Sequence, residues 1–212
     1  MAELAAYKEV CKKDFDPAKV AALAIRDPEC LAKAIAGLDE SKATIKYGCD
    51  KVLRYLAAHS PEVLYPHFDE FAANLNSDKT ILKWGAIEII SQLAQVDSDR
   101  KFDPIFEKYF APLKGPVLIT AANLIKAARR IAVARPDLAD RIAQRILTVE
   151  TARYKTAECR QIALCEAVRI FDEIYSLVAD KPAVVAFVKK RLKSRRHSTK
   201  QSAENFLHKH HA

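Results

Sequence analysis

With 212 residues, half of them hydrophobic, the chain can bury a sizeable core. It has only four glycines (Gly37, Gly48, Gly85, Gly115), almost none of the supply that sheet turns or a Gly-rich phosphate loop consume. The formal charge of +8 is unevenly placed. Residues 1–110 hold 15 Lys+Arg against 18 Asp+Glu (net −3), and residues 111–212 hold 20 against 9 (net +11), with eleven of the fourteen arginines in the second stretch. No run of 18 apolar residues occurs, and the start MAELAAYKEVCKKDFD lacks the basic segment and apolar stretch of a signal peptide. The reading is an all-helical protein with no membrane span and a cytoplasmic location.

In chain order, AELAAYKEVCKK and DPAKVAALAIR make an N-terminal cap, residues 1–27, which also reads as one degenerate helix pair. Next, PECLAKAIAGL leads through the turn DESK into a second helix containing KYGCDKVLRYLA, the pair 28–58. PEVLYPHFDEFAANL leads through NSDK into KWGAIEIISQLA, the pair 61–96. The two second helices match at a distance of thirty-seven residues. Ile45, Cys49, Val52, Leu53 and Leu56 carry the same apolar spacing as Leu82, Ala86, Ile89, Ile90 and Leu93, the stripe of an amphipathic helix.

DPIFEKYFAPL, the break KGP and VLITAANLIKAARRIAVA form the pair 102–134. RPDLADRIAQRILTVE and TAECRQIALCEAVRIFDEIYSL form 136–178, and DKPAVVAFVKKRLKS with STKQSAENFLHKH forms 180–210. A proline stands near the start of each first helix (Pro28, Pro61, Pro104, Pro136, Pro182), where its missing N–H costs nothing. Helix pairs stacked in sequence bury one continuous core, which makes the expected fold an all-α right-handed α-α superhelix of about five pairs, as a single domain over 1–212.

Gly48 and Gly85 sit at equivalent positions of consecutive second helices, where alanine would favour the helix by about 1 kcal/mol. Close approach of a neighbouring backbone beside Tyr47 and Trp84 is the expected compensation, with Ala121 or Ala122 in that role in the next pair. The Pro-led first helix, the short Asp- or Asn-containing turn and the small-residue-rich second helix, clearest over 61–134, resemble the HEAT-repeat family. Tetratricopeptide repeats, with their W-x-x-L-G-x-x-Y pattern, are not matched.

The resemblance implies a non-catalytic interaction module whose second helices line a concave face for a protein partner, an acidic one included. Size, basic balance and helix pairs are also similar to HEAT-like DNA glycosylases that remove alkylated bases and use a tryptophan and an acid in a cleft. That likeness implies nucleic-acid binding as the alternative function. Trp84 and Glu88, at i and i+4 on one helix face, match that pair in type, with Glu where that family has Asp.

The candidate partner-binding residues are Trp84 and Glu88, Arg129 and Arg130, Arg141 and Arg145 one turn apart, and Lys189, Lys190, Arg191, Arg195 and Arg196 in the most basic run. Arg135, Arg153 and Arg160 extend the stripe, whose planar donor forks suit phosphates. Against this stands a solvated face, or for the last run a polar capping repeat.

Five cysteines (Cys11, Cys30, Cys49, Cys159, Cys165) form an odd set without C-x-x-C and read as reduced, mostly buried thiols. DSDRKFD (97–103) has Arg100 and Lys101 where a calcium loop needs small or acidic residues, so it reads as an inter-repeat loop. His208, His210 and His211 sit on a terminal tail, without the fixed supporting partners of a metal site. Neither metal nor cofactor is expected, and no hydrolase or kinase motif is present.

Overall fold

An aspartate followed by proline starts each of the helices at Pro17 and Pro28. The Asp16 side chain accepts from the Ala18 N–H, and Asp27 from the N–H groups of Glu29 and Cys30. These carboxylates satisfy donors that the helix itself leaves open. The computed structural model describes residues 9, 10, 12 and 14–212, and among them no strand occurs. Most of AELAAYKEVCKK, Cys11 included, lies outside the described residues. The chain divides into two compact units, residues 1–101 and 102–212.

The first unit contains α1 (Pro17–Arg26), α2 (Pro28–Ala36), α3 (Ala43–His59), α4 (Pro61–Leu64), α5 (Phe68–Asn74) and α6 (Thr80–Leu93). Helix α3 packs against α1 on one side and α6 on the other, so the second helices form one layer. Helix α2 lies against α1 and α3, α4 against α3 and α6, and α5 against α6. The expected stripe is the core of this layer: Cys49, Val52, Leu53 and Leu56 on α3 and Leu82, Ala86, Ile89, Ile90 and Leu93 on α6 are buried, while Ile45 is half-buried. Each large apolar side chain so enclosed contributes roughly 1.5–3 kcal/mol.

One expected helix is broken. PEVLYPHFDEFAANL runs as α4, a 3-10 turn at Tyr65–His67, and α5. Pro66 has no N–H to donate and its ring crowds the preceding turn, so a continuous α-helix cannot pass through it.

The second unit contains α7 (Phe102–Phe110), α8 (Leu118–Ala134), α9 (Ala139–Leu147), α10 (Ala157–Ile174), α11 (Lys181–Arg191) and α12 (His197–His210). Helices α8, α10 and α12 pack side by side in that order; α9 lies against α8 and α10, and α11 against α9, α10 and α12. Phe102, Phe106, Tyr109 and Phe110 of α7 are buried together, with Phe102 and Tyr109 edge-to-face at 5.2 Å. Gly115, in the turn after α7, has φ 95°, a conformation that favours glycine.

The two matched glycines turn out to have different causes. A Cβ on Gly48 would lie 2.6 Å from the carbonyl oxygen of Val10, which is the expected backbone approach. At Gly85 the neighbour is a side chain. A Cβ there would lie 2.5 Å from Oδ1 of Asp50 on α3, and the expectation of backbone contact is corrected accordingly.

Polar contacts show how consecutive repeats are joined. Side-chain hydrogen bonds between repeats link residues 32 to 41 apart in sequence, one repeat length, from Asp39–Lys79 and Tyr65–Asp97 to Asp172–His210. Within each unit these bonds tie a repeat to its neighbour, as nearest-neighbour stacking requires.

Candidate functional site

The candidate residues of the first unit gather around a buried carboxylate. Asp50 faces α6 from α3 with only 6% of its surface exposed. Its Oδ2 pairs with Nε of Arg54 at 2.8 Å, while Oδ1 has no hydrogen-bond partner and occupies the space that Gly85 leaves by lacking a Cβ. Burial, with the nearby charge of Glu88, pushes the Asp50 carboxyl above the usual range although Arg54 opposes this. Trp84 and Glu88 are both half-buried on α6, and the Glu88 carbonyl accepts from the Ser91 hydroxyl at 2.7 Å. Asp50 and Arg54 were not anticipated from sequence. The only hint was a charged residue next to the apolar stripe, at the position where the following repeat has Ile87.

In the second unit, carboxylates one repeat away engage most of the candidate cations. Arg141 and Arg145 of α9 both reach Glu107 of α7, and the Arg141 guanidinium lies over the Phe106 ring at 4.1 Å. On α11, Lys190 and Arg191 both bind Glu150, at 3.1 and 2.8 Å, and Arg191 lies over Phe187 at 4.2 Å. Arg196 pairs with Glu158, and Arg129 of α8 with Glu173 of α10. Burial alone would raise the Glu150 carboxyl, but Lys190 and Arg191 overcome it and hold it below the usual range. Arg135 sets both arms of its fork on Asp137, at 2.9 Å each, and donates to Asp103 at 2.8 Å. Arg130 is half-buried near the end of α8. The arginines expected to form one stripe are thus distributed over several stitches between helices.

Lys189 and Arg195 stand differently: both are exposed, and neither side chain has an ion pair or hydrogen bond among the described residues. Lys114, Arg153, Lys155, Arg160 and Lys193 share that condition. All but Lys189 lie on or next to the turns that lead from a first helix to its second. Those turns are neighbours: the Arg153 N–H donates to the Lys114 carbonyl at 3.1 Å, and the Tyr154 hydroxyl to the Leu113 carbonyl at 2.6 Å. Burial pushes the Tyr154 phenol up to about 12. On the other side, the Ser194 hydroxyl lies 2.9 Å from Oε1 of Gln161. Lys114 and Lys155 were missed in the sequence because each is isolated from any basic run.

Of the four described cysteines, all free thiols, Cys30, Cys49 and Cys165 are buried and Cys159 is half-buried. Of the segment 97–103, residues 97–101 are the expected inter-repeat loop, while Phe102 and Asp103 already belong to α7. Asp97 accepts from the Tyr65 hydroxyl at 2.8 Å and the Lys101 N–H at 2.7 Å, and Arg100 is left-handed with φ 57°. The histidine tail is more ordered than expected. Helix α12 continues through His210, whose Nε2 lies 2.7 Å from Asp172 and whose ring packs on Tyr175 and Phe206. A polar groove between α10 and α12 is lined by Arg169, Asp172, His197, Gln201 and Asn205 among others.

No family model matches the chain, and no curated protein matches it in sequence. Solved structures do. A designed armadillo repeat protein is 12% identical with a TM-score of 0.52, covering 97% of this chain and 98% of that one. An engineered protein solved by the Northeast Structural Genomics Consortium is 13% identical with a TM-score of 0.53, covering 98% of this chain and 87% of that one. At such identities the likeness speaks to the fold. The chain is an all-α helical-repeat protein of the solenoid class, and among the described residues no helix is long and apolar enough to cross a membrane.

Proposed function

We propose that the chain is a non-catalytic, HEAT-like interaction module whose stacked second helices hold a protein partner. The observation that carries this reading is the layer of α8, α10 and α12. Three parallel rows of side chains are fixed at repeat spacing, with a polar groove between the last two. Repeat folds use such extended rows as binding surfaces, and function here rests on that surface rather than on any catalytic constellation.

Photo-crosslinking groups placed at Arg169 and Gln201 on this layer, and at Arg141 and Ala186 on the first-helix layer, test the reading in cells. One discrete protein adduct from the second-helix positions alone is expected. Adducts from the first-helix positions only, or from none of the four, would refute it.

A second reading, nucleic-acid binding with base excision at Trp84 and Glu88, draws on the net charge of the second unit and on an acid beside an aromatic ring. The preferred reading expects no base released from alkylated duplex DNA. Release that disappears in Trp84→Ala would reverse the order of the two.

A further inference from the structure

Not every cation of the second unit is engaged by a neighbouring repeat. Lys114, Arg153, Lys155, Arg160, Lys193 and Arg195 are exposed, and none has an ion pair or side-chain hydrogen bond among the described residues. They stand at three successive first-to-second-helix turns. These turns are fixed to one another by the backbone bond from Arg153 to Lys114, by the Ser194–Gln161 bond and by the Arg196–Glu158 pair. Two acids that flank the middle turn in sequence are already occupied: Glu150 by Lys190 and Arg191, and Glu158 by Arg196. What remains is a ridge of six uncompensated charges along one edge of the stack.

We propose that this ridge binds the phosphate backbone of a nucleic-acid duplex without reading its sequence. Neighbouring packed helices lie about 8–10 Å apart, so three turns span on the order of 20 Å. A duplex presents one charge per ~1.7 Å of axis, enough to meet all six cations.

The composition of the ridge favours phosphate over protein. Protein interfaces centre on buried apolar and aromatic anchors and are depleted in lysine, whereas phosphate-backbone contacts need only positioned cations. The second and third turns expose no large apolar side chain. Val117 in the first turn and Ile119 just beyond it are the exceptions on this edge. A row of lysines and arginines held at turns can meet phosphates whatever the base sequence, from which sequence independence follows. Although Arg160 stands on the first turn of α10, the ridge shares no residue with the groove between α10 and α12 assigned to a protein partner, and either assignment can fail without the other.

The test is fluorescence anisotropy of the full chain with a labelled 20-base-pair duplex of arbitrary sequence between 50 and 200 mM salt. The ridge variant Arg153→Gln/Lys155→Gln/Lys193→Gln is compared with Arg26→Gln/Lys42→Gln/Lys126→Gln, which removes the same charge elsewhere. The wild-type log–log salt slope is expected near −3 to −5, about −0.9 per phosphate neutralised. The ridge variant should flatten it by about 3 and weaken binding at 50 mM roughly 10- to 100-fold, with the other variant within about twofold of wild type. A charge-preserving Arg153→Lys/Arg160→Lys variant should bind like wild type. Equal weakening by both triple variants would overturn the proposal. So would no measurable wild-type binding at 50 mM, or poly-glutamate of matched charge competing as well as the duplex, the outcome expected for an acidic-protein surface.

Discussion

The two units handle charge in opposite ways. In residues 1–101, net −2, the layer of second helices encloses one carboxylate, Asp50, with Arg54 as partner and a glycine opposite to make room. In residues 102–212, net +10, acids and bases meet mostly at the rims of the stack, where water still reaches at least the acid of each pair. A buried pair recovers little of its desolvation cost and is expensive to disturb; rim pairs contribute little singly and gain from being networked. The first unit should therefore be fragile at one point and the second robust at many.

The sharpest break is at that one point. Gly85→Leu should destabilise the protein by about 3 kcal/mol or more in urea unfolding, by overpacking against a buried carboxylate. In an Asp50→Ala background the same substitution should cost measurably less, because the atom it strikes is gone; strict additivity of the two would show that the neighbour is something else.

Next in size is Arg135→Ala, which leaves Asp103 and Asp137 facing each other and should cost about 2–3 kcal/mol. A loss under 0.5 kcal/mol would make this fork an ordinary surface contact.

Acid titration should separate the units by sign. Asp50, raised in the folded state, lowers stability above its unfolded pKa, and that cost is relieved as pH falls through its folded value. Glu150, lowered in the folded state, stabilises above its unfolded pKa, and that gain is lost as pH falls through its folded value. The stability of Asp50→Asn relative to wild type should thus fall on acidification, while that of Glu150→Gln relative to wild type should rise on the more acidic side. Trends of the same sign in the two differences as the pH is lowered from 7 through the carboxylate range would contradict the assignment. The smallest effect belongs to Arg129→Ala, whose pair with Glu173 is exposed on both sides and should be worth under about 0.5 kcal/mol.

The helix pairs were legible because a second helix must repeat its apolar stripe wherever it packs between two others. Val52, Leu53 and Leu56 correspond to Ile89, Ile90 and Leu93, and all six are buried. The matched glycines were legible as crowding, but sequence does not distinguish a carbonyl above Gly48 from a carboxylate above Gly85. Pro66, inside an otherwise helical pattern, could have been read as a break. The charge asymmetry was legible and its division was not. Arg141 and Arg145 look like part of a basic stripe until Glu107 is seen one repeat away, and turns of unequal length hide that register.

The cations of residues 102–212 fall into a set that joins repeats and a set that does not. Urea unfolding of two variants with the same charge loss tests it most directly: Arg141→Gln/Arg145→Gln/Arg191→Gln against Arg153→Gln/Lys155→Gln/Lys193→Gln. The first should lose about 2 kcal/mol through its broken network and unpaired acids, and the second should match wild type or slightly exceed it as repulsion falls. Equal losses in the two, or a larger loss in the second, would contradict the division.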